Sequence, residues 1–403
     1  MKNILIYIND SLGELDWIAP FIKSEEGKEF NFYIYLNGPG KTYQEKIDIL
    51  RKYGLLSENI FSINSNSKKD FYLFTLDDFL NRVLGRIKLF SYALFLFMRK
   101  LFDLFRIFVA TILSGNKTTF NYIFRDYNLK NSFSLIHYIR MNENAKIIVF
   151  PHAVGLQRSH PSCPREPLKE VKADLWFENS DLSNIVKKSK IYKDIFIVTG
   201  VPAFDNNYKK KTLFSTNVKR VLIITRDCGM TFGFTYVDAF SIFDTLLQKL
   251  NQLGYEIKIK HHPRDRKLNE WRDIQSRYSK IEELEGSLND IKDTYSACYT
   301  LFSTAPLFLL SRGVPVFEFS PYKNIEEYKE QLPMHYVDDE NLLTHDLLNL
   351  ELYKRLNKIS KIEKYMSNEY LTKLAKKQYL KCQEIFPMGA NKKIMNILKE
   401  KNI

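Results

Sequence analysis

The sequence predicts an α/β protein with two doubly wound parallel-sheet domains in tandem. Three observations carry this. Short runs of apolar, β-branched and aromatic residues alternate with helical stretches in both halves of the chain. A punctuated segment, Gly200-Val201-Pro202-Ala203-Phe204-Asp205, is followed by mostly polar chain that includes Lys209-Lys210-Lys211. The strand–helix alternation then starts afresh at Arg220. Strands that alternate with helices form βαβ units and pair in parallel.

Taken in order, Ile4-Leu5-Ile6-Tyr7-Ile8 reads as the first strand. It is too short for a signal-peptide core, so the chain is expected to be cytoplasmic. Residues 10–17 form a turn that opens a helix running to about Ser24. FNFYIYL at 30–36 is a second strand, broken by Asn37-Gly38-Pro39-Gly40. Residues 42–53 read as helix and 60–63 as a short strand. KIIVF (146–150), Leu175-Trp176-Phe177 and IFIVT (195–199) are further strands. In the second half RVLIIT (220–225) and YEIKIK (255–260) are strands separated by a helix over 236–253. Residues 298–302 and 314–319 complete the strands, and from Leu350 the chain reads as charged helix with a break at Pro387-Met388-Gly389. No internal repeat is present.

Composition bounds the function. Hydrophobic residues make up 45% and charged residues 27%, a globular balance that excludes a mostly disordered chain. The 403 residues suit two or three domains at roughly 150 residues each. Lys and Arg number 60 against 47 Asp and Glu, and the net charge of +13 favours anionic partners. Nucleic acid, an acidic membrane face and phosphorylated small molecules all qualify. Cys163, Cys228, Cys298 and Cys382 form no CxxC pair and read as reduced thiols. There is no P-loop, HExxH, GxSxG or clear DxD motif, so no metal is expected. Asp338-Asp339 reads as a solvated turn.

Residues 71–113 stand apart in their density of Phe and Leu. The charge-free run 89–98 has ten residues, and a membrane span needs about 20. At helical spacing, Arg82, Arg86, Lys88, Arg99, Lys100, Asp103 and Arg106 fall within an arc of about 160°. Two readings stay open. One is a helix or helical pair packed on the sheet, and the other is a basic amphipathic surface on an anionic membrane.

Four segments carry chemistry. The first is Lys260-His261-His262-Pro263-Arg264-Asp265-Arg266, at the carboxyl end of a strand, where open α/β sheets bind ligands. Its cations and imidazoles suit a phosphate or diphosphate, and Pro263 biases His262 to an extended backbone. The second is Ser303-Thr304-Ala305, between a buried strand and an apolar helix, where hydroxyls and backbone N–H groups can face the same anion. The third is Pro151-His152-Ala153-Val154-Gly155, again at a strand end. His152 reads as structural or as a catalytic or substrate contact, while Arg158, His160 and Arg165 nearby suit an anionic acceptor. The fourth is Gly13-Glu14-Leu15-Asp16, where a carboxylate either complements the helix dipole or acts as general base.

Together these segments resemble GT-B glycosyltransferases, two Rossmann-like doubly wound domains facing a central cleft. The likeness extends to bacterial surface-polysaccharide enzymes such as CMP-Kdo and CMP-sialic acid transferases and CDP-glycerol glycerophosphotransferases. The resemblance rests on the linker at 199–205, the Lys260-His261-His262-Pro263 segment, the Ser303-Thr304-Ala305 turn, the Gly313-Val314-Pro315-Val316 strand and the first-domain loops at Gly13-Glu14 and His152. The first His of the glycerophosphotransferase pattern is followed directly by Gly, whereas Ala153 and Val154 intervene here.

The resemblance implies an acceptor-side domain at 1–205, a nucleotide-sugar domain at 206–349, and helices at 350–403 that pack back across the first domain. It implies donor contacts from Lys260, His262, Pro263, Arg264, Ser303, Thr304, Ala305 and Glu318, and a base among Glu14, Asp16 and His152. The expected activity is metal-independent transfer from a nucleotide-activated sugar, CMP-linked in preference, to a capsule or lipopolysaccharide-type glycan. No cofactor is expected beyond the donor itself. The expected acceptor is anionic or lipid-linked, which puts the enzyme at the inner face of a membrane; nucleic acid is not expected as a partner. A sugar-nucleotide epimerase or hydrolase on the same fold, a non-catalytic assembly protein and a nucleic-acid-binding module are the alternatives.

Overall fold

The computed structural model describes residues 1–8, 13–36, 50–51, 53–55, 60–62, 79–80, 83–84, 86–87, 94, 97–98, 101–102, 105, 119–126, 139, 142–151, 154–156, 173–182, 195–209, 214, 217–226, 236–262, 267–286, 288, 291–301, 303–320 and 347–400. The first sheet holds β1 (Lys2–Ile8), β2 (Phe30–Leu36), β3 (Ile60–Ser62), β4 (Tyr122–Asp126), β5 (Lys146–Phe150), β6 (Leu175–Glu178) and β7 (Phe196–Val198). The second holds β8 (Arg220–Ile224), β9 (Glu256–Lys260), β10 (Ile281–Glu283), β11 (Ala297–Thr300), β12 (Val316–Phe319) and β13 (Lys354–Leu356). The helices are α1 (Gly13–Ile22), α2 (Pro202–Lys209), α3 (Tyr236–Gln252), α4 (Leu268–Gln275), α5 (Leu307–Leu310), α6 (Asn368–Ile385) and α7 (Ala390–Lys399).

Every strand pair is parallel. The orders are β3-β2-β1-β4-β5-β6-β7 and β10-β9-β8-β11-β12-β13. Both sheets are doubly wound, as the alternation of strand and helix predicts. The reason is visible in β1. Ile4, Ile6 and Ile8 enter one core with α1, while Leu5 and Tyr7 enter another on the opposite face. β8 repeats the pattern, Leu222 and Ile224 facing one side and Val221 and Ile223 the other. Strands covered on both faces carry unbroken apolar runs.

Three strands are not legible as strands in the sequence. β4 (YIFRD) lies between β1 and β5. β10 (IEE) and β13 (KRL) are the edges of the second sheet. Residues 354–356 therefore correct the expectation of continuous helix from Leu350. Edge strands need apolar residues less than central ones, and charge there discourages further pairing. Of the helix expected at 42–53, the described residues include only 50 and 51 as helical.

The linker and the chain terminus meet at one junction. Gly200 has φ +86°, and a Cβ there would sit 2.3 Å from the Pro387 carbonyl oxygen. The Asp205 carboxylate accepts the backbone N–H groups of Gly389 (2.8 Å), Ala390 (3.1 Å) and Asn391 (2.8 Å) at the head of α7. That one carboxylate satisfies three of the four N–H groups a helix start leaves open. Asn391 returns a bond to the Pro202 carbonyl, 3.2 Å away. Ile394, Ile397 and Leu398 then enter the first sheet's core, and the Leu398 carbonyl accepts from Tyr122 Oη at 2.7 Å and Lys2 Nζ at 2.6 Å. Helix α6 packs instead on the second sheet, through Tyr379, Cys382 and Ile385. Cys298 and Cys382 are buried free thiols, and burial pushes Cys382 up to about 12.

The amino-terminal side of the second sheet is tied by charge. Arg220 on β8 pairs with Glu256 on β9 at 2.9 Å, and Lys258 reaches Glu256, Glu282 and Asp293. The Arg220 hydrogen bond holds the Glu256 carboxyl below its ordinary 4.5. A carboxyl depressed in the folded state stabilises the fold above its unfolded value and loses that contribution as pH falls through the folded value.

Two outcomes follow. Thermal unfolding should show stability falling as the pH drops below 4.5, with a shallower fall in Glu256→Gln. Asp205→Ala should cost about 2 kcal/mol in urea unfolding, the upper end for loss of a helix cap.

Candidate functional site

In the second sheet the chain runs outward from β8 to β9 and β10, then returns to place β11 on the other side of β8. The order reverses between β8 and β11. At such a reversal the flanking helices diverge to opposite faces and leave a crevice at the carboxyl ends of the strands. Four segments end at that edge. They are Thr225-Arg226 after β8, His261-His262 after β9, Ser303-Thr304-Ala305 after β11, and Ser320 after β12. The ends of β9 and β11 lie two strand spacings apart, about 10 Å.

Local bonding sorts these residues. His261 is buried, with Nδ1 3.0 Å from Thr225 Oγ1 and Nε2 3.3 Å from Gln275 Oε1. With Gln275 Oε1 accepting, Nε2 carries the proton and Nδ1 accepts from the Thr225 hydroxyl. His261 thus locks the end of β9 to the end of β8 and to α4. His262, the next residue, stands half-buried at the edge. Lys260 turns the other way and donates to the Leu284 carbonyl, 3.1 Å away beyond β10. The sequence groups Lys260 with the phosphate contacts, but its amine points away from the β8–β11 crevice. Pro263 and Arg264 lie outside the described residues.

The Ser303-Thr304-Ala305 turn also differs from expectation. Ser303 Oγ accepts the Ala305 N–H at 3.2 Å, and α5 begins only at Leu307, after Pro306, and spans four residues. Such a helix has little dipole, so the turn's chemistry comes from its own hydroxyls and N–H groups. The Thr304 carbonyl accepts from Tyr353 Oη at 3.3 Å. Tyr353 also feels Glu318. Burial first, and the Glu318 carboxylate next, hold its phenol far above the ordinary 10.0. Glu318 is fully buried in β12, so it and the turn share Tyr353 as a neighbour.

The first sheet reaches the same turn. Trp17 Nε1 donates to Asn179 Oδ1 at 2.7 Å, and Asn179 Nδ2 donates to the Gly155 carbonyl at 2.7 Å. A Cβ on Gly155 would lie 3.5 Å from Thr304 Cγ2, ordinary contact distance. Val154 and Leu156 sit in a core with Leu307 and Phe308. Helix α1, the loop after β5, the residue after β6 and the turn after β11 are therefore joined by buried contacts. Glu14 falls in the first turn of α1, its side chain outside what is described. Asp16 is half-buried and accepts from Tyr53 Oη at 3.2 Å. His152, Arg158, His160 and Arg165 lie outside the described residues.

Sequence reasoning missed three residues. Arg226 closes β8 at the second sheet's reversal point. Arg125 is buried near the end of β4, where the first sheet's order reverses beside β1. Asn179 links two loops. Each follows or closes a buried apolar run with an abrupt polar residue, a signal that was available at Thr225-Arg226 and Glu178-Asn179. An apolar cavity of about 20 Å³ lined by Ile223, Tyr299, Phe317 and Leu356 lies on the opposite face of β11.

No protein-family model matches this chain, and no curated protein matches its sequence. Solved structures match over nearly its whole length. Staphylococcus aureus MnaA, in a co-structure with UDP, superposes with a TM-score of 0.54 at 14% identity, covering 99% of this chain and 96% of that one. A putative UDP-N-acetylglucosamine 2-epimerase from Listeria monocytogenes gives 0.54 at 12%, covering 99% and 96%. CalG4, the calicheamicin glycosyltransferase, gives 0.53 at 10%, covering 99% and 97%. The chain has the GT-B fold. In this GT-B chain the carboxyl edges of both sheets meet at Gly155 and Thr304. Identities this low carry the fold and no activity.

Asn179→Leu keeps the branching of the side chain but strands the Trp17 indole N–H and the Gly155 carbonyl. Each buried unsatisfied group costs about 1–3 kcal/mol. The expected outcome is a loss of about 2–4 kcal/mol in urea unfolding, with Asn179→Asp, which keeps only the bond from Trp17, falling between it and wild type.

Proposed function

We propose that this chain is a glycosyltransferase that takes a sugar from a nucleotide-activated donor. The observation that supports it is the convergence at one carboxyl edge of Arg226, His262 and the Ser303-Thr304 turn, closed over by the Gly155 loop of the other sheet. The donor phosphate sits at the β8–β11 crevice, held by Arg226, His262, Arg264 and the hydroxyls and N–H groups of residues 303–305. Pro263 stiffens the loop that carries His262; Glu318, fully buried in β12, is assigned no contact with the donor. Donors fixed in place before reaction stabilise the charge that builds on the leaving phosphate, a contribution often worth about 3 kcal/mol for one donor. A base among Glu14, Asp16 and His152 takes the proton of the acceptor hydroxyl. Arg158, His160 and Arg165 hold an anionic or lipid-linked glycan acceptor. Charge stabilisation is assigned to protein groups alone, so EDTA should leave turnover unchanged.

The nucleotide base is read by experiment. The sequence resemblance favours cytidine, and the UDP named in the MnaA co-structure favours uridine. A thermal-shift panel of CMP, CDP, UDP and GDP decides between them, because ligand at 100 times its Kd stabilises the fold by about 2.7 kcal/mol. His262→Ala and Arg226→Ala should each weaken the best nucleotide about 10- to 100-fold, as expected for loss of a charge-assisted bond. Unchanged binding in both would sink the assigned site.

Epimerisation of a nucleotide sugar is the second reading. The Listeria monocytogenes structure and one from Methanocaldococcus jannaschii with UDP-GlcNAc and UDP (TM-score 0.51, 13% identity) carry that activity in their names. An epimerase converts its nucleotide sugar with no acceptor present, whereas a transferase leaves the sugar unchanged until an acceptor hydroxyl is supplied.

A further inference from the structure

The apolar stretch at 71–113 lies mostly outside the described residues, and no helix among the described residues is long and apolar enough to cross a membrane. The ends of β8 and β9 carry more. The two strands pair in register from Arg220 and Glu256 to Ile224 and Lys260. The Thr225 N–H donates to the Lys260 carbonyl at 3.1 Å and carries the ladder one step further. Thr225 and His261 are therefore cross-strand neighbours, and the 3.0 Å contact between Thr225 Oγ1 and His261 Nδ1 puts their side chains on one face. That face is the one on which Val221, Ile223, Ile257 and Ile259 pack against Trp271 and Ile274 of α4. Gln275, the last residue of α4, meets His261 Nε2 from there at 3.3 Å.

Side chains alternate along an extended chain. One step past Thr225 and His261 stand Arg226 and His262, both half-buried, and the alternation turns them to the opposite face. Pro263 supports this at His262, because the residue before a proline is held extended. On the opposite face Leu222 and Ile224 pack with Val154, Leu156, Leu307 and Phe308. It is the face of the Gly155 loop and of the helix that follows the Ser303-Thr304 turn. Arg226 and His262 are thus neighbours on adjacent strands, about 5 Å apart at the backbone. The bond beneath them joins the residues immediately before each. Thr225 is 1% and His261 6% exposed, so that bond is shielded from water. Breaking it would strand a buried polar group, and so the pair resists splaying.

We propose that His261 is a positioning residue whose bonds to Thr225 and Gln275 hold Arg226 and His262 side by side as a clamp on one phosphate group. Arg226 offers a planar fork of N–H donors and His262 a ring N–H, and donors fixed one strand spacing apart can grip two oxygens of the same phosphate. His261 itself touches no anion. Gln275 fixes the tautomer with the proton on Nε2, which leaves Nδ1 to accept the Thr225 hydroxyl. This rests on the proposed function only in taking the phosphate to belong to a nucleotide, since the clamp itself is measured with inorganic pyrophosphate.

Calorimetric titration of the full chain tests it, with inorganic pyrophosphate and with the nucleotide that the thermal-shift panel selects. Thr225→Val keeps the shape, removes the hydroxyl and should weaken both ligands about tenfold, while Thr225→Ser should stay within about twofold of wild type. His261→Asn, whose amide oxygen stands where Nδ1 does, should bind more tightly than His261→Gln, whose amide stands where Nε2 does. Ile274→Val, a core change on the same face, should lower the unfolding midpoint and leave both affinities unchanged. In a double-mutant cycle the losses from Arg226→Ala and His262→Ala should depart from additivity by about fivefold in wild type and add in the Thr225→Val background. Should Thr225→Val unfold, Gln275→Leu, which releases the tautomer, should weaken pyrophosphate in its place. Pyrophosphate binding with no nucleotide bound keeps the clamp and removes only the transferase reading. Unaltered affinity in Thr225→Val, additive losses in wild type, an equal loss in Ile274→Val or no pyrophosphate binding would overturn the inference.

Discussion

One carboxylate organises this chain. Asp205 leaves the linker between the two sheets and accepts three consecutive N–H groups from the start of α7, 184 to 186 residues later. Gly200 and Pro387 approach so closely beside it that a side chain on Gly200 would collide with the Pro387 carbonyl. The last helix therefore departs in a fixed direction. Its Ile394 and Leu398 fill the first core, while α6 just before it fills the second. Asp205 supplies at the start of α7 the acceptor that water would otherwise provide, and so ties the linker to the helix that enters the first core.

The carboxyl edges of the sheets face each other as a consequence. In each sheet the order reverses once, at β1–β4 and at β8–β11, and in doubly wound sheets such a reversal opens a crevice at the carboxyl ends of the strands. The first sheet reaches the second through Trp17, Asn179 and the Gly155 loop, which rests on Thr304. The polar groups in this region divide by what they do. His261, Thr225 and Tyr353 are spent holding strand ends and turns together. At the opposite, amino-terminal side of the second sheet, Arg220 and Lys258 are spent on carboxylates. The second sheet thus pairs Arg220 and Lys258 with carboxylates on one side and places Arg226, His262, Ser303 and Thr304 at the other.

Much of this was legible in the residues. VLII in β8, ACYT in β11 and VFEF in β12 are apolar because both faces of a parallel strand are covered. His262 and Ser303 were legible as site candidates because each follows such a run. β10 and β13 were not, since IEE and KRL become strands only through a neighbour that supplies the pairing. β4 was hidden for a similar reason, its Arg125 and Asp126 interrupting the run. Lys260 was misplaced because the sequence shows that a lysine stands at a strand end but not which neighbouring strand it leans on.

The amino-acid sequence by itself determined the strands covered on both faces, where they stop, and which polar residues wait at those stops, though not β4, β10 or β13. Burial on both faces writes that information locally, two residues at a time. Only the tertiary structure decided that β11 returns beside β8 rather than beyond β10, that Arg226 therefore stands between His262 and Ser303, and that Asn179 bridges Trp17 to Gly155. Strand order is chosen by contacts among residues tens to hundreds apart, whose loop-closure cost is recovered only when the whole sheet forms. No short window of sequence carries that sum.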